Sequence, residues 1–110
     1  MAPLAPSDRP LAHTLAALMT ERQLSYRALS ERTRRVDPVG DRLTHGHLAN
    51  LIAGRARPSP RALELIAHAL DLEPAYFAEY RLAELRDQLD ERRVGFDAAL
   101  RRYRTLTHAA

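Results

Sequence analysis

The chain has 110 residues, of which 45% are hydrophobic and 28% charged, proportions typical of one globular domain with little room for an enzyme cleft. Its net charge is +3 and all seventeen cationic side chains are arginine, a balance that permits an anionic partner. Cysteine is absent, which excludes disulfides and cysteine-ligated metal, and no apolar run approaches the ~20 residues that span a bilayer. We therefore expect a cytoplasmic protein that does not enter a membrane.

The N-terminal residues predict a flexible arm followed by a first helix. Residues 1–10 contain three prolines and little that could pack, so we expect an arm at 1–10. Apolar residues then recur at the helical period, which predicts a helix from Asp8 or Pro10 to about Arg22, with Asp8 available as its cap. These apolar residues are Leu11, Leu15, Leu18 and Met19.

A second helix is expected from Tyr26 to about Arg34, because Ser25 is a favourable N-cap. Tyr26 and Arg27 would then lie at the helix N-terminus, where backbone amides and the helix dipole favour a phosphate. For Tyr26 the alternative is packing against the first helix. The following segment, 35–42, contains Pro, Gly and Asp and is predicted to be a loop, long for a turn between two packed helices.

The segment from Leu43 to Pro60 carries the third helix. Leu48, Leu51 and Ile52 share one helix face, Thr44 stands at the N-cap position, and Gly54 stands where a left-handed residue ends a helix. The opposite face carries small or hydrogen-bonding residues without a carboxylate: His45, Gly46, His47 and Asn50.

The surroundings of this helix are basic. From Arg42 to Leu63 there is no Asp or Glu, while Arg42, Arg55, Arg57 and Arg61 supply four positive charges. A short polar helix in such a setting suits a DNA groove. The alternative is an ordinary amphipathic helix with a polar outer face.

Two apolar stripes follow the fourth helix, which is predicted from Arg61 to about Leu70 and ends before Pro74. One stripe is Ala78, Leu82, Leu85 and Leu89; the other is Tyr76, Tyr80 and Ala83. An interruption at Asp90–Glu91 or Gly95 would separate this helix from a last one with Phe96, Ala99, Leu100, Tyr103 and Leu106.

A helix that is apolar on two sides needs two partners. One partner is the preceding bundle, and the other is either the last helix of the same chain or a second copy of the protein. We favour a dimer, because one recognition helix reads few base pairs. The residues assigned to the dimer are Tyr76, Tyr80, Ala83, Phe96, Leu100 and Tyr103.

The order of these motifs resembles the lambda-repressor/Cro-like helix-turn-helix family, also called the xenobiotic-response-element (XRE) family. The resemblance lies in Leu24–Ser30, in Leu43-Thr44 followed by Leu48, Leu51 and Gly54, and in Pro58-Ser59 followed by an aliphatic helix and Leu70-Asp71-Leu72. It covers roughly residues 11–80, and the spacing from Gly54 to Pro58 is its most specific part.

The resemblance implies a five-helix bundle whose third helix enters the major groove of DNA. The family's base-reading positions correspond to His45, Gly46 and Asn50, while Thr44 and His47 lie near the DNA backbone. Arg55 and Arg57 correspond to the loop that touches phosphates. The sequence departs from the family at Tyr26, which often is Gln, and at Ile52, which often is Glu.

Taken together, these observations predict an all-α protein with an arm at 1–10, a DNA-binding domain at 11–73 and dimerisation helices at 74–110. The predicted function is a bacterial, dimeric, sequence-specific regulator bound to double-stranded DNA in the nucleoid. Alternatives are an antitoxin or another protein-interaction module with this fold, or a nucleoid-associated binder of low specificity. We expect no enzyme activity, cofactor or metal, since His45 and His47 are two residues apart and diverge on a helix.

Overall fold

The structure is a computed structural model that describes residues 5–40 and 43–108. It contains five α-helices in these ranges: α1 Leu11–Glu21, α2 Tyr26–Val36, α3 His45–Ile52, α4 Pro60–Ala69 and α5 Ala78–His108. A short 3-10 helix, Pro74–Tyr76, precedes α5, and the described ranges contain no strand. The prediction of an all-α fold is confirmed.

Local capping sets most of the helix ends. The hydroxyls of Ser25, Thr44 and Ser59 each accept a backbone N–H of the first turn at 3.1 Å, which satisfies a donor that the helix leaves unpaired. Gly54 has φ 75°, the left-handed conformation that glycine adopts without steric cost. The predicted caps Ser25 and Thr44 and the helix end at Gly54 are therefore confirmed.

The first helix begins differently from the prediction. Pro10 precedes α1 without a side-chain cap, and Asp8 is not the cap. Instead, the N–H of Leu11 donates to Oε2 of Glu79 at 2.6 Å. A carboxylate at a helix N-terminus is favoured by the helix dipole, so α5 supplies from 68 residues away what the local sequence lacks.

The core forms around α4, which contacts α2, the 3-10 helix and α5. Six of its ten residues are buried: Ala62, Leu63, Leu65, Ile66, Ala67 and Ala69. The rest of the core comes from α1, from one face each of α2 and α3, and from three residues between helices, Leu43, Leu70 and Phe77. Burial of a Leu or Phe side chain contributes about 1.5–3 kcal/mol, so this core fixes the orientation of α2 and α3.

The predicted arm is folded where the structure describes its last residues. The N–H of Ser7 donates to the carbonyl oxygen of Tyr76 at 3.0 Å, and the Ser7 and Thr14 hydroxyls are 2.8 Å apart. Arg81 donates to the Ser7 carbonyl at 2.8 Å and to Asp8 at 3.0 Å. Residues 7–10 therefore belong to the folded domain rather than to a loose arm, while residues 1–4 lie outside the described part.

The C-terminal region is one helix instead of the predicted pair. α5 runs without a break from Ala78 to His108, through both Asp90–Glu91 and Gly95. Glycine costs only ~1 kcal/mol in a helix interior, and no proline follows Pro74. None of the described helices combines the length and apolar character needed to cross a membrane.

Candidate nucleic-acid interface

The third helix is fixed from one side and open on the other. Leu48 is fully buried and Leu51 is 2% exposed, so these two side chains hold α3 against the core. Thr44, His45, Gly46 and Asn50 are exposed, and His47 is half-buried. The three residues predicted to read bases therefore lie on the surface, on the side of α3 that faces away from the core.

A buried hydrogen bond joins α2 to the residue two positions before α3. The hydroxyl of Ser30 in α2 donates to the carbonyl oxygen of Leu43 at 2.5 Å, and Leu43 itself is 8% exposed. The hydroxyl of Thr33 donates to the Ser30 carbonyl at 2.7 Å, so both buried polar side chains are satisfied. This link sets the position at which α3 begins.

An ion pair braces the loop between α2 and α3. α2 extends to Val36, further than predicted, and residues 41–42 of the loop, including Arg42, lie outside the described residues. The carboxylate of Asp37 accepts the N–H of Gly40 at 2.9 Å and the guanidinium of Arg61 at 2.5 Å. Because Arg61 also contacts Glu64 at 3.4 Å, its charge is used within the domain. Arg55 and Arg57 remain as the described exposed cations near α3.

The ion pair between Asp37 and Arg61 should make the stability of the loop depend on acid. The hydrogen bond from Arg61, assisted by that from Gly40, holds the pKa of Asp37 below its usual value. A lowered pKa means that the carboxylate stabilises the fold above the unfolded pKa of 3.8 and loses this contribution as the pH falls through the folded value. We expect the protection of the Gly40 amide, which is the intrinsic exchange rate of an unprotected amide divided by its own exchange rate at the same pH, to decrease on acidification below about pH 4.

Asp37→Asn should give faster exchange at Gly40 already at neutral pH, because the amide keeps an acceptor for Gly40 but loses its charge toward Arg61. Asp90→Asn removes an exposed carboxylate from α5 and serves as the control. Equal exchange at Gly40 in both variants at pH 7 would contradict a bracing role for the ion pair.

The loop after α3 folds back onto the end of that helix. The N–H groups of Arg55 and Ala56 both point to the carbonyl oxygen of Asn50, at 2.9 and 3.4 Å. These two hydrogen bonds hold the loop with Arg55 and Arg57 beside α3, and both arginines are exposed. Arg57 also lines an open cleft between this loop and α5, opposite Glu79 and Arg86.

The segment that contains α3 carries positive but no negative side chains. Residues 43–63 include no carboxylate, and His45, His47 and the two exposed arginines lie in this segment. An anion that approaches α3 therefore meets cationic side chains and helix N-terminal amides without a nearby negative charge on the same segment. Such a surface is suited to a polyanion.

Tyr26 is partly packed and partly exposed. Its ring is 39% exposed and borders an open groove with Met19, Leu24 and Ile52. Arg27 is exposed beside it at the start of α2. Partial packing of the ring thus leaves part of Tyr26 accessible at the helix N-terminus.

Gly46 is not required by the fold of the free protein. A Cβ atom added at this position would meet nothing within 4 Å. Since alanine is favoured over glycine in helices by up to about 1 kcal/mol, Gly46→Ala should raise the free energy of unfolding by up to that amount in thermal or denaturant unfolding. If the backbone at Gly46 approaches DNA closely, the same variant should bind DNA more weakly.

Gly95→Ala is the matched control, because a Cβ at Gly95 also meets nothing within 4 Å and Gly95 lies in α5. It should stabilise the helix without reducing DNA affinity. Undiminished DNA affinity in both variants would mean that Gly46 is not needed for close approach.

Two of the residues assigned to a dimer contact serve the core of their own chain. Tyr76 and Tyr80 are half-buried and pack against the core, and the Tyr80 hydroxyl donates to Glu64 at 3.3 Å. Ala83 and Leu100 are half-buried, whereas Phe96 and Tyr103 are 67% and 64% exposed. The large exposed apolar residues of α5 that the assignment omitted are Leu82, Leu85, Leu89, Val94 and Leu106.

The histidines do not come together with other metal ligands. No group of three or more His, Cys, Asp or Glu side chains suited to a metal ion occurs within residues 5–40 and 43–108. The features brought together around α3 are instead polar, cationic and hydrogen-bonding groups.

Residues 10–79 match the model of a family described as a helix-turn-helix domain. The match begins just before α1 and ends in the first turn of α5. No curated protein and no solved structure matches the chain.

Proposed function

The chain belongs to the helix-turn-helix domain family, whose members bind DNA, and we propose that it is a sequence-specific transcriptional regulator. In this proposal a dimer binds double-stranded DNA with α3 of each subunit in the major groove. Residues 11–73 bind DNA and residues 74–110 form the dimer. Such a protein would work on the chromosome in the cytoplasm.

The observation that carries the proposal is the exposed polar face of α3. In this proposal the exposed Asn50 pairs bidentately with adenine, and the exposed His45 donates to guanine or accepts from an amino group. Both side chains project from a helix whose other face is fixed by Leu48 and Leu51, so their positions are defined before DNA arrives. Base contacts of this kind supply sequence preference.

Phosphate contacts would come from the groups that flank α3. Arg55 and Arg57 follow the helix, Thr44 and His47 lie in its first turn, and Tyr26 and Arg27 start α2. Helix N-termini and arginine side chains both favour phosphate oxygens. These contacts set the register in which α3 meets the bases.

A selection from random duplex DNA tests the proposal, followed by titration of the selected duplexes at several salt concentrations. A palindromic motif with half-sites about one helical turn apart would support a dimeric, base-reading regulator. Steeply salt-dependent binding without a motif would contradict sequence specificity and point to a nucleoid-type binder.

The absence of binding at low salt would overturn the proposal altogether. In that case the chain would be a protein-interaction module, and the antitoxin alternative would be tested by looking for a small protein that co-purifies with it.

A further inference from the structure

Most of α5 projects away from the bundle. Its first turns are held by Glu79, Tyr80 and Arg81, whereas residues 84–99 are all exposed. The helix has 31 residues, and the molecule extends 70 Å along its longest axis against 32 and 27 Å along the others. An isolated helix of this length needs packing of an apolar face for stability.

Such a face follows α5 in a strict seven-residue repeat. Leu82, Leu89, Phe96 and Tyr103 are seven residues apart, and each is followed three residues later by Leu85, Arg92, Ala99 or Leu106. We call these eight residues the α5 seam. The exposed fractions of its leucine, phenylalanine and tyrosine side chains range from 54% at Leu85 to 76% at Leu106.

The repeat indicates what covers the seam. A straight helix drifts by ~20° per heptad relative to a seven-residue repeat, so continuous burial requires a second helix that winds around the first. Residues at these positions are the a and d positions of a coiled coil. The other described α-helices have 8 to 11 residues and already pack in the bundle. The partner helix therefore comes from another molecule.

The charges on α5 favour a second copy in the opposite direction. Residues 82–91 carry four carboxylates and one arginine, a net charge of −3. Residues 92–106 carry five arginines and one carboxylate, a net charge of +4. Parallel pairing would place the basic halves side by side and Arg92 against Arg92 in the seam, whereas antiparallel pairing places each acidic half beside a basic half.

We propose that two copies of the chain dimerise through the α5 seams as an antiparallel coiled coil. The inference rests on the dimer in the proposed function and specifies its surface and direction.

The repeat fits this arrangement layer by layer. With the two-fold axis near residue 94, Leu82 faces Leu106 of the second copy, Leu85 faces Tyr103, and Leu89 faces the small Ala99. Arg92 then faces Phe96, where a guanidinium over an aromatic ring is favourable. The two Arg93 side chains meet beside the axis, each with Asp90 and Asp97 one turn away on its own helix.

The arrangement places the two DNA-binding bundles at opposite ends of the coiled coil. At 1.5 Å per residue, Leu82 and Leu82 of the second copy are separated by about 36 Å along the axis. Half-sites one DNA turn apart are separated by about 34–36 Å. The two ends of the seam are thus about as far apart as two successive half-sites on one side of the duplex.

Cysteine cross-linking tests the direction, and the natural absence of cysteine makes the probes unambiguous. Leu82→Cys and Leu106→Cys are prepared separately with tags of different size, and both alter exposed side chains outside the core. Each is incubated alone and then with the other in a glutathione redox buffer, without DNA. We expect disulfide-linked dimers only in the mixture, and a mass of twice the 12.4 kDa chain for the unmodified protein in sedimentation equilibrium.

Cross-linking of each variant with itself would overturn the proposal in favour of parallel pairing. A monomeric mass at all concentrations, with no cross-link in the mixture, would overturn the second copy as occupant of the seam. Because no DNA is used, either failure leaves the DNA-binding proposal intact. A failed DNA selection leaves the cross-linking result intact in the same way.

Discussion

Alanine at position 50 should remove the base preference at one position of each half-site. Asn50 is exposed on α3, where its amide can donate to and accept from adenine at the same time. A bidentate base contact is worth about 1–3 kcal/mol of preference for the correct base. For each half-site, the affinity for the selected duplex should therefore fall about fivefold to more than a hundredfold, with little change for duplexes that carry another base there.

The substitution leaves the local fold unchanged. The loop after α3 is held by the backbone carbonyl oxygen of residue 50, which accepts from Arg55 and Ala56 and is retained in alanine. The unfolding midpoint of Asn50→Ala should therefore be no lower than that of the unmodified protein, since alanine is favoured over asparagine in a helix by up to about 0.7 kcal/mol. The measurement is a competition assay with duplexes that differ at single positions.

His68→Ala is the control for this experiment, since His68 is exposed on α4 beside Asp71 and Glu73. It should keep both the affinity and the ranking of duplexes. If Asn50→Ala weakens all duplexes equally, Asn50 contacts the backbone and the base-reading assignment is wrong.

The parts of the fold that were predictable from the sequence depend on neighbouring residues. Ser25, Thr44 and Gly54 act within one turn of the helix ends that they define. The apolar spacing of α1 likewise predicted its buried face, because a helix brings residues three and four apart together. Helix capping and apolar periodicity depend on residues close in the chain, so a single sequence is enough to predict them.

Contacts between distant segments were not predictable in this way. Glu79 completes the start of α1, and Arg81 holds Ser7 and Asp8 across 74 and 73 residues. The brace between Asp37 and Arg61 likewise joins residues 24 apart. None of these pairs has a sequence spacing that marks it, because the bundle alone brings them together.

The prediction that the C-terminal region forms two helices was wrong for a different reason. Gly95 and Asp90–Glu91 were interpreted as an interruption, although an unbroken helix costs little at a single glycine. The seven-residue spacing from Leu82 to Tyr103 was the signal against a break, since it keeps its phase across Gly95. Tyr76 and Tyr80 were assigned to the dimer because a helical wheel shows which residues share a face but not which neighbour covers them.

Removal of the Arg57 guanidinium should weaken binding to every DNA sequence by the same factor, because phosphates carry charge but no base identity. A charge-assisted hydrogen bond contributes about 1.5–3 kcal/mol, so Kd should rise roughly tenfold or more. The slope of log K against log salt should become shallower by about 0.9 for each phosphate that the protein no longer neutralises, hence by about 1.8 for a dimer. Arg55→Ala should have the same effects. If the two arginines act independently, the loss of binding free energy in the double variant should equal the sum of the losses in the single variants.

Arg101→Ala is the charge-matched control for Arg57→Ala. Arg101 is exposed near the end of α5 and is not one of the α5 seam residues, so the variant removes the same charge without changing α3 or a seam side chain. If it flattens the salt slope as much as Arg57→Ala, net charge rather than a phosphate contact explains the effect. Arg57→Ala should change the slope and keep the ranking of duplexes, whereas Asn50→Ala should change the ranking and keep the slope. Identical behaviour of these two variants would contradict the division of the interface into base-reading and phosphate-binding residues. That division requires one variant to change the ranking of duplexes and the other to change the dependence of affinity on salt.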